Sequence, residues 1–225
     1  MIYDNSDACF ESEKERNLYY KLFAGYLFNE LVLGYEGRVQ AFFDLLKSPV
    51  AIGQAAPSLP QSLDPHTTHV SFDNHLYLFH ELQTDRGECA DILLHDRTTG
   101  TFIAIEAKLH SNWSYEKDIK ANQARHSQLM GLIPKLNIVP VLLVTEPRWE
   151  QAIKKESAEH SNYTRFSQDS KCCFRVILWE QVASIIPEPR VREFLDAQIA
   201  RDRDEFFYRS TEDWFVQVSS NTVNQ

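Results

Sequence analysis

Apolar residues recur at helical spacing twice near the start of the chain. Leu18, Leu22 and Tyr26, with Phe23 and Leu27 beside them, predict a helix over 13–33, and Val39, Phe42, Phe43 and Leu46 predict an amphipathic one over 36–47. Both read as scaffold. Residues 48–69 break the pattern: Pro49, Pro57, Pro60 and Pro65 interrupt a stretch with no apolar period, so a long loop is expected, of a length that is usually functional or mobile. Three short β-type runs follow, over 76–82, 90–95 and 102–109. The last two are joined by Asp96-Arg97-Thr98-Thr99-Gly100-Thr101, which has the chemistry of a tight turn, so an antiparallel meander is expected. Helical spacing returns over 115–132. A compact apolar run over 137–145 reads as strand, 149–158 as helix and 173–179 as buried strand, and helices over 180–186 and 190–207, parted by Pro187 and Pro189, close the chain. The order helix, three strands, helix, strand predicts an α/β fold with a central mixed β-sheet flanked by helices. It is expected as one domain over 1–225, with a core over about 13–145 and a C-terminal strand and helices over 146–225 completing it.

Composition narrows the class. A chain of 225 residues, 43% hydrophobic and 24% charged, is an ordinary globular protein, not a disordered, collagenous or coiled-coil one. No run approaches the ~18 consecutive apolar residues of a membrane span. The polar start of the chain lacks the pattern of a signal peptide, so a cytoplasmic protein without membrane association is expected. Cys9, Cys89, Cys172 and Cys173 form no C-x-x-C pair, which leaves reduced thiols as the reading. His66, His69, His75 and His80 are close in sequence, but no cysteine or helix fixes them at zinc-binding spacing, and loop and strand positions account for them. The net charge of −9 opposes binding of nucleic acid by a broad basic field. The imbalance is uneven: Asp91 to Cys173 holds eleven Lys/Arg against ten Asp/Glu, so any site for an anionic substrate belongs in that middle segment.

The same segment carries the chemistry. With the turn centred between Thr98 and Thr99, residues whose numbers sum to 197 face each other, so that His95 opposes Phe102, Leu93 opposes Ala104 and Asp91 opposes Glu106. Lys108, two residues after Glu106, projects to the same face. Two carboxylates about 5 Å apart at Cβ, set among Ile92, Leu94, Ile103 and Ile105, repel each other and are poorly solvated unless a cation lies between them. A hard divalent ion suits the pair. Mg²⁺ commonly takes one or two carboxylates and completes its shell with water and substrate phosphate. Lys108 beside it would orient or deprotonate an attacking water, or balance charge on a phosphorane.

Asp91, followed by Glu106-Ala107-Lys108 at the end of the next apolar strand, resembles the motif of the PD-(D/E)xK nuclease superfamily, whose restriction-endonuclease-like core is ordered αβββαβ. The resemblance implies Mg²⁺-dependent hydrolysis of phosphodiester bonds, with Mn²⁺ able to substitute and DNA favoured over RNA. It makes Asp91 and Glu106 metal ligands, the Ala107 carbonyl a further one, and Lys108 the catalytic lysine. It also implies a carboxylate on the first helix, Glu15 or behind it Glu30, and a glutamine on the helix after the lysine, Gln123 or next Gln128. Cys89-Ala90 stands where the family's name has proline, and nothing after Thr145 is covered. Lys117, Lys120 and Arg125 are candidates for phosphate contact, or equally for a solvated helix face; Trp113 and Tyr115 are expected to pack under the sheet, with stacking on a base as the alternative; and His95 either lines the cleft or satisfies a strand end. The acidic surface suits positioning by a partner protein or a homodimer. The alternative is a catalytically inactive protein of the same fold that binds nucleic acid or a protein partner.

Overall fold

The structure, a computed structural model, describes residues 38–64, 67–72, 90–132, 136–154 and 161–210. Its helices are α1 (Arg38–Lys47), α2 (a π-helical turn Tyr115–Lys120 continuing as Ala121–Leu132), α3 (Glu146–Lys154), α4 (Asn162–Gln168), α5 (Trp179–Ile185) and α6 (Pro189–Ser210). Its strands are β1 (Ala51–Ile52), β2 (Thr68–Phe72), β3 (Ile92–Asp96), β4 (Thr101–Lys108), β5 (Asn137–Val144) and β6 (Arg175–Leu178), in the sheet order β1-β6-β5-β4-β3-β2. The pairs β2–β3 and β3–β4 are antiparallel, β4–β5 and β5–β6 parallel, and two-residue β1 closes one edge antiparallel to β6. Each parallel pair needs a crossover. In this chain α2 joins β4 to β5, and α3 and α4 join β5 to β6. The expected α/β architecture with a mixed sheet is therefore present.

Several expectations change. The strand beside β3 is Thr68–Phe72, so the segment read as loop over 48–69 contains β1 and ends inside β2. The alternation of Val70 and Phe72 with polar neighbours is short, and the preceding prolines and histidines disguise it. Helix α4 was not expected; it is short and starts from Ser161, whose hydroxyl accepts the Thr164 N–H. The helix expected over 13–33, the strand over 76–82, and with them Glu15 and Glu30, lie outside the described residues.

Strand alternation divides the core. On one face Ile92, Leu94, Ile103, Ile105, Val141 and Leu143 pack under α1, α5 and α6, with Phe42, Phe43 and Trp179 fully buried among them. On the other, Leu142, Val144 and Val176 meet Trp113, Ile119, Trp149 and Phe166, while Leu93, Phe102, Ala104 and Ile138 form a separate small cluster. Arg175 pins the ends together: from β6 it donates to the Leu46 carbonyl at 3.4 Å and the Pro57 carbonyl at 2.9 Å, holding α1 and the following segment onto the sheet. Among the described residues no helix is long and apolar enough to cross a membrane.

His126 lies in the layer beneath α2, its ring stacked on Phe174 at 6.5 Å and its Nδ1 without a hydrogen-bond partner. Burial, with Arg125 adding to it, pushes its pKa down to about 4 from 6.5. The unfolded chain therefore takes up a proton that the folded chain refuses. The stability this contributes is complete above about pH 6.5 and is lost as the pH falls toward 4, about 2 kcal/mol of it by pH 5. His126→Phe, which keeps a ring against Phe174, should lose less stability between pH 7.5 and pH 5 than the parent in urea titrations. Equal losses in the two proteins would show that His126 is not the group responsible.

Candidate functional site

The site begins with a turn. Asp96 Oδ1 accepts the Thr98 N–H at 3.0 Å and Oδ2 accepts the Thr99 hydroxyl at 2.6 Å, while Gly100 takes φ 67°, a conformation that favours glycine. These local contacts set the register, and Ile92 faces Ile105, Leu93 faces Ala104 and His95 faces Phe102, as expected. One step beyond the start of β3, Asp91 comes level with Glu106. Its Oδ2 accepts the Ala107 N–H at 2.8 Å, a bond that holds the carboxylate against the end of β4.

Glu106 and Lys108 share the face covered by α2. Lys108 Nζ lies 2.7 Å from Glu106 Oε1 and 3.2 Å from Asp118 Oδ1. Asp118 comes from the π-helical turn, and one turn later Asn122 Nδ2 donates to the Asp118 carbonyl at 2.8 Å and reaches Glu106 Oε2 at 3.5 Å. Glu106, Asp118 and Asn122 are all buried. Arg125 continues the chain of contacts, its Nη1 donating to Asn122 Oδ1 at 3.3 Å. Arg148 braces the connection from β4 to α2: Nη1 donates to Asn112 Oδ1 at 2.6 Å and Nη2 to the His110 carbonyl at 2.8 Å.

Two carboxylates thus pair with one ammonium, and the charge of a third, Asp91, acts on the same group. Burial, reinforced by the charge of Asp91, pushes the Glu106 pKa up to about 7 despite the pull of Lys108. Burial alone would lower that of Lys108, but the charge and hydrogen bond of Glu106, with Asp118 and Asp91, hold it well above the ordinary lysine range. The two directions agree physically, because a single cation cannot neutralise three carboxylates and the buried Glu106 gives way. An added divalent cation would relieve the same repulsion. Among the described residues no group of three or more His, Cys, Asp or Glu is placed to hold a metal ion. The donors at hand, Asp91, Glu106 and a backbone carbonyl, form the partial set that suits a hard ion retaining water or substrate oxygens, and do not suit a closed protein cage.

The structure brings together Asp91, Glu106, Ala107 and Lys108. It does not bring Gln123, whose Nε2 donates to Asp169 Oδ2 at 3.2 Å and whose Oε1 accepts the Cys173 N–H at 3.3 Å, binding α2 to the segment before β6. Gln128 is exposed. The helix amide that meets the cluster is Asn122. Trp113 and Tyr115 take the packing role expected for them in preference to base stacking: both are buried, Trp113 stacked on Trp149 at 5.7 Å and the Tyr115 hydroxyl donating to Asp169 at 2.6 Å. His95 stacks across the strands on Phe102 at 3.9 Å. Lys117 and Lys120 are exposed, and Lys120 pairs with Glu116 at 3.2 Å. Cys172 and Cys173 are free, with burial pushing their thiols up to about 11 and about 12, which suits unreactive thiols.

Asp118 and Asn122 are the members that sequence reasoning missed. Their spacing to Tyr115 and Ile119 was the available signal, since positions three and four apart share a helix face and that face carries the apolar residues. Comparison with models of protein families, with curated proteins and with solved structures finds no match for this chain.

Proposed function

We propose that this protein is a Mg²⁺-dependent nuclease, built on a restriction-endonuclease-like core, that hydrolyses phosphodiester bonds in DNA. The observation that carries the reading is the register of β3 on β4, which sets Asp91, Glu106 and Lys108 side by side at the end of an otherwise apolar hairpin. The element order supports it: an antiparallel β2–β3–β4 unit followed by helix α2 and parallel β5. The cluster lies at the C-terminal end of β4, where open α/β sheets commonly bind ligands.

Asp91, Glu106 and the Ala107 carbonyl would hold Mg²⁺, or Mn²⁺ in its place. When bound, such an ion polarises the phosphodiester and acidifies water for attack. Lys108 sets a positive charge beside the phosphate, where it offsets the charge that builds on the phosphorane oxygens. Arg125, which donates to Asn122 at the margin of the cluster, would serve a flanking phosphate. The acidic remainder of the chain is consistent with a nuclease brought to its substrate by a partner protein or by a second copy of itself.

Supercoiled plasmid, single-stranded DNA and RNA incubated with Mg²⁺ or Mn²⁺, against EDTA, test the proposal. Metal-dependent cutting of DNA is the expected result. Metal should also stabilise the fold, by about 2.7 kcal/mol at a concentration one hundred times the dissociation constant. Thermal melts of Glu106→Ala should lose that gain. No cutting of any substrate, together with no shift in the melts, would overturn the nuclease and leave a non-catalytic binding protein.

A further inference from the structure

Asp118 occupies a position where the sequence suggests a solvated charge, between Lys117 and Lys120, yet it is only 8% exposed. Its two carboxylate oxygens have separate partners. Oδ2 accepts the Ser114 N–H, and Oδ1 lies 3.2 Å from the Lys108 ammonium. The backbone repeats the first link in reverse, with the Asp118 N–H donating to the Ser114 carbonyl at 2.9 Å. The Asp118 carbonyl is held in turn by Asn122 Nδ2 at 2.8 Å. The residue is therefore fixed through Oδ2, N–H and carbonyl, and Oδ1 alone is left to face Lys108. The π-helical turn provides this placement, because Tyr115, Asp118 and Ile119 are all buried along it. Single π turns within helices often accompany functional positions.

Lys108 thus has two anchors, Glu106 and Asp118, and the proposed function occupies one of them. We propose that Asp118 is a positioning residue for Lys108, an inference that rests on the nuclease reading and deepens it. When Glu106 gives its oxygens to a divalent ion, Asp118 keeps the ammonium beside the phosphate. A lysine side chain has four rotatable bonds, and with one anchor withdrawn only a second, rigid one holds it in a productive place. Glu116, two residues earlier, cannot serve, since it is half exposed and bridges Lys120 and Arg165.

Asp118→Asn keeps the shape and removes the charge. Asp118→Ser, too short to reach Lys108, is the second variant should the amide disturb Ser114, and Glu116→Gln is the control for loss of a nearby acid. Two readouts on the full chain at saturating Mg²⁺ separate the possibilities. The first is the rate at which acetic anhydride labels Lys108 relative to exposed Lys171, followed by peptide mass spectrometry and independent of any turnover. Asp118→Asn should raise it several-fold, and Glu116→Gln should leave it at the parent value. The second is DNA cleavage, in which kcat should fall about 100-fold with KM little changed. Unchanged labelling of Lys108 in both Asp118 variants, or a loss confined to KM, overturns the assignment. A parent protein that cuts nothing and gains no stability from Mg²⁺, with Lys108 labelling still raised by Asp118→Asn, would sink the nuclease reading while upholding the hold of Asp118 on Lys108.

Discussion

Lys108→Ala should lower metal-dependent cleavage by about 10²–10⁴-fold, the range in which single acid–base or charge-stabilising groups contribute to such reactions. Among the described residues the lysine is the cation paired with both Glu106 and Asp118, at 2.7 and 3.2 Å. On the proposed reading it stands where the charge of an attacked phosphate would grow, and its place is partly buried, where a fixed charge acts more strongly than in water. Lys108→Arg is an informative companion. The wider guanidinium cannot occupy the same gap between two carboxylates, so only a small part of the activity should return. Lys47→Ala is the appropriate control, because Lys47 sits at the end of α1 on the opposite face of the sheet and pairs with Asp44 at 3.0 Å. Rates for Lys108→Ala within threefold of the parent would remove the lysine from the mechanism.

The second large effect concerns the fold, and it separates stability from the site. Trp179 opens α5 directly after β6, and among the described residues it is the largest of the fully buried side chains. It fills the layer shared by α1, α5, α6 and the sheet. Trp179→Ala should cost about 3–5 kcal/mol, part of it lost transfer energy and part the cavity left where three helices cannot close in together. That is a large fraction of the stability of an ordinary domain. Denaturant titration measures it. Since this layer lies on the face away from Lys108, cleavage per folded molecule should be retained under conditions where the variant stays folded. A loss below 1.5 kcal/mol would mean that the packing there is looser than the burial implies.

The hairpin was legible because everything that decides it is local. Asp96 and Gly100 build the turn from their own side chain and backbone freedom, and once the turn is set the alternation of β4 places Glu106 and Lys108 on one face. The small second strand was not legible: Thr68–Phe72 has too few alternating positions to stand out, and it becomes a strand by pairing with β3. Helix α2 was legible as a helix but not in its rotation. Its buried side chains include Asp118, Asn122 and His126, so no clean apolar stripe marks the inner face. Gln123 and Asn122 are neighbours in the chain, yet one turns toward Asp169 and the other toward Glu106. Which amide meets the cluster depends on the π-helical turn and on the sheet beneath it.

By itself the sequence determined the α/β class, the register of β3 on β4 and the meeting of Asp91, Glu106 and Lys108, because turn chemistry and strand alternation act over a few residues. Tertiary structure alone decided that Asp118 and Asn122 complete the cluster and that Gln123 leaves it. Those outcomes depend on how far α2 is rotated about its axis as it packs on the sheet, and that rotation is set by contacts between residues far apart in the chain.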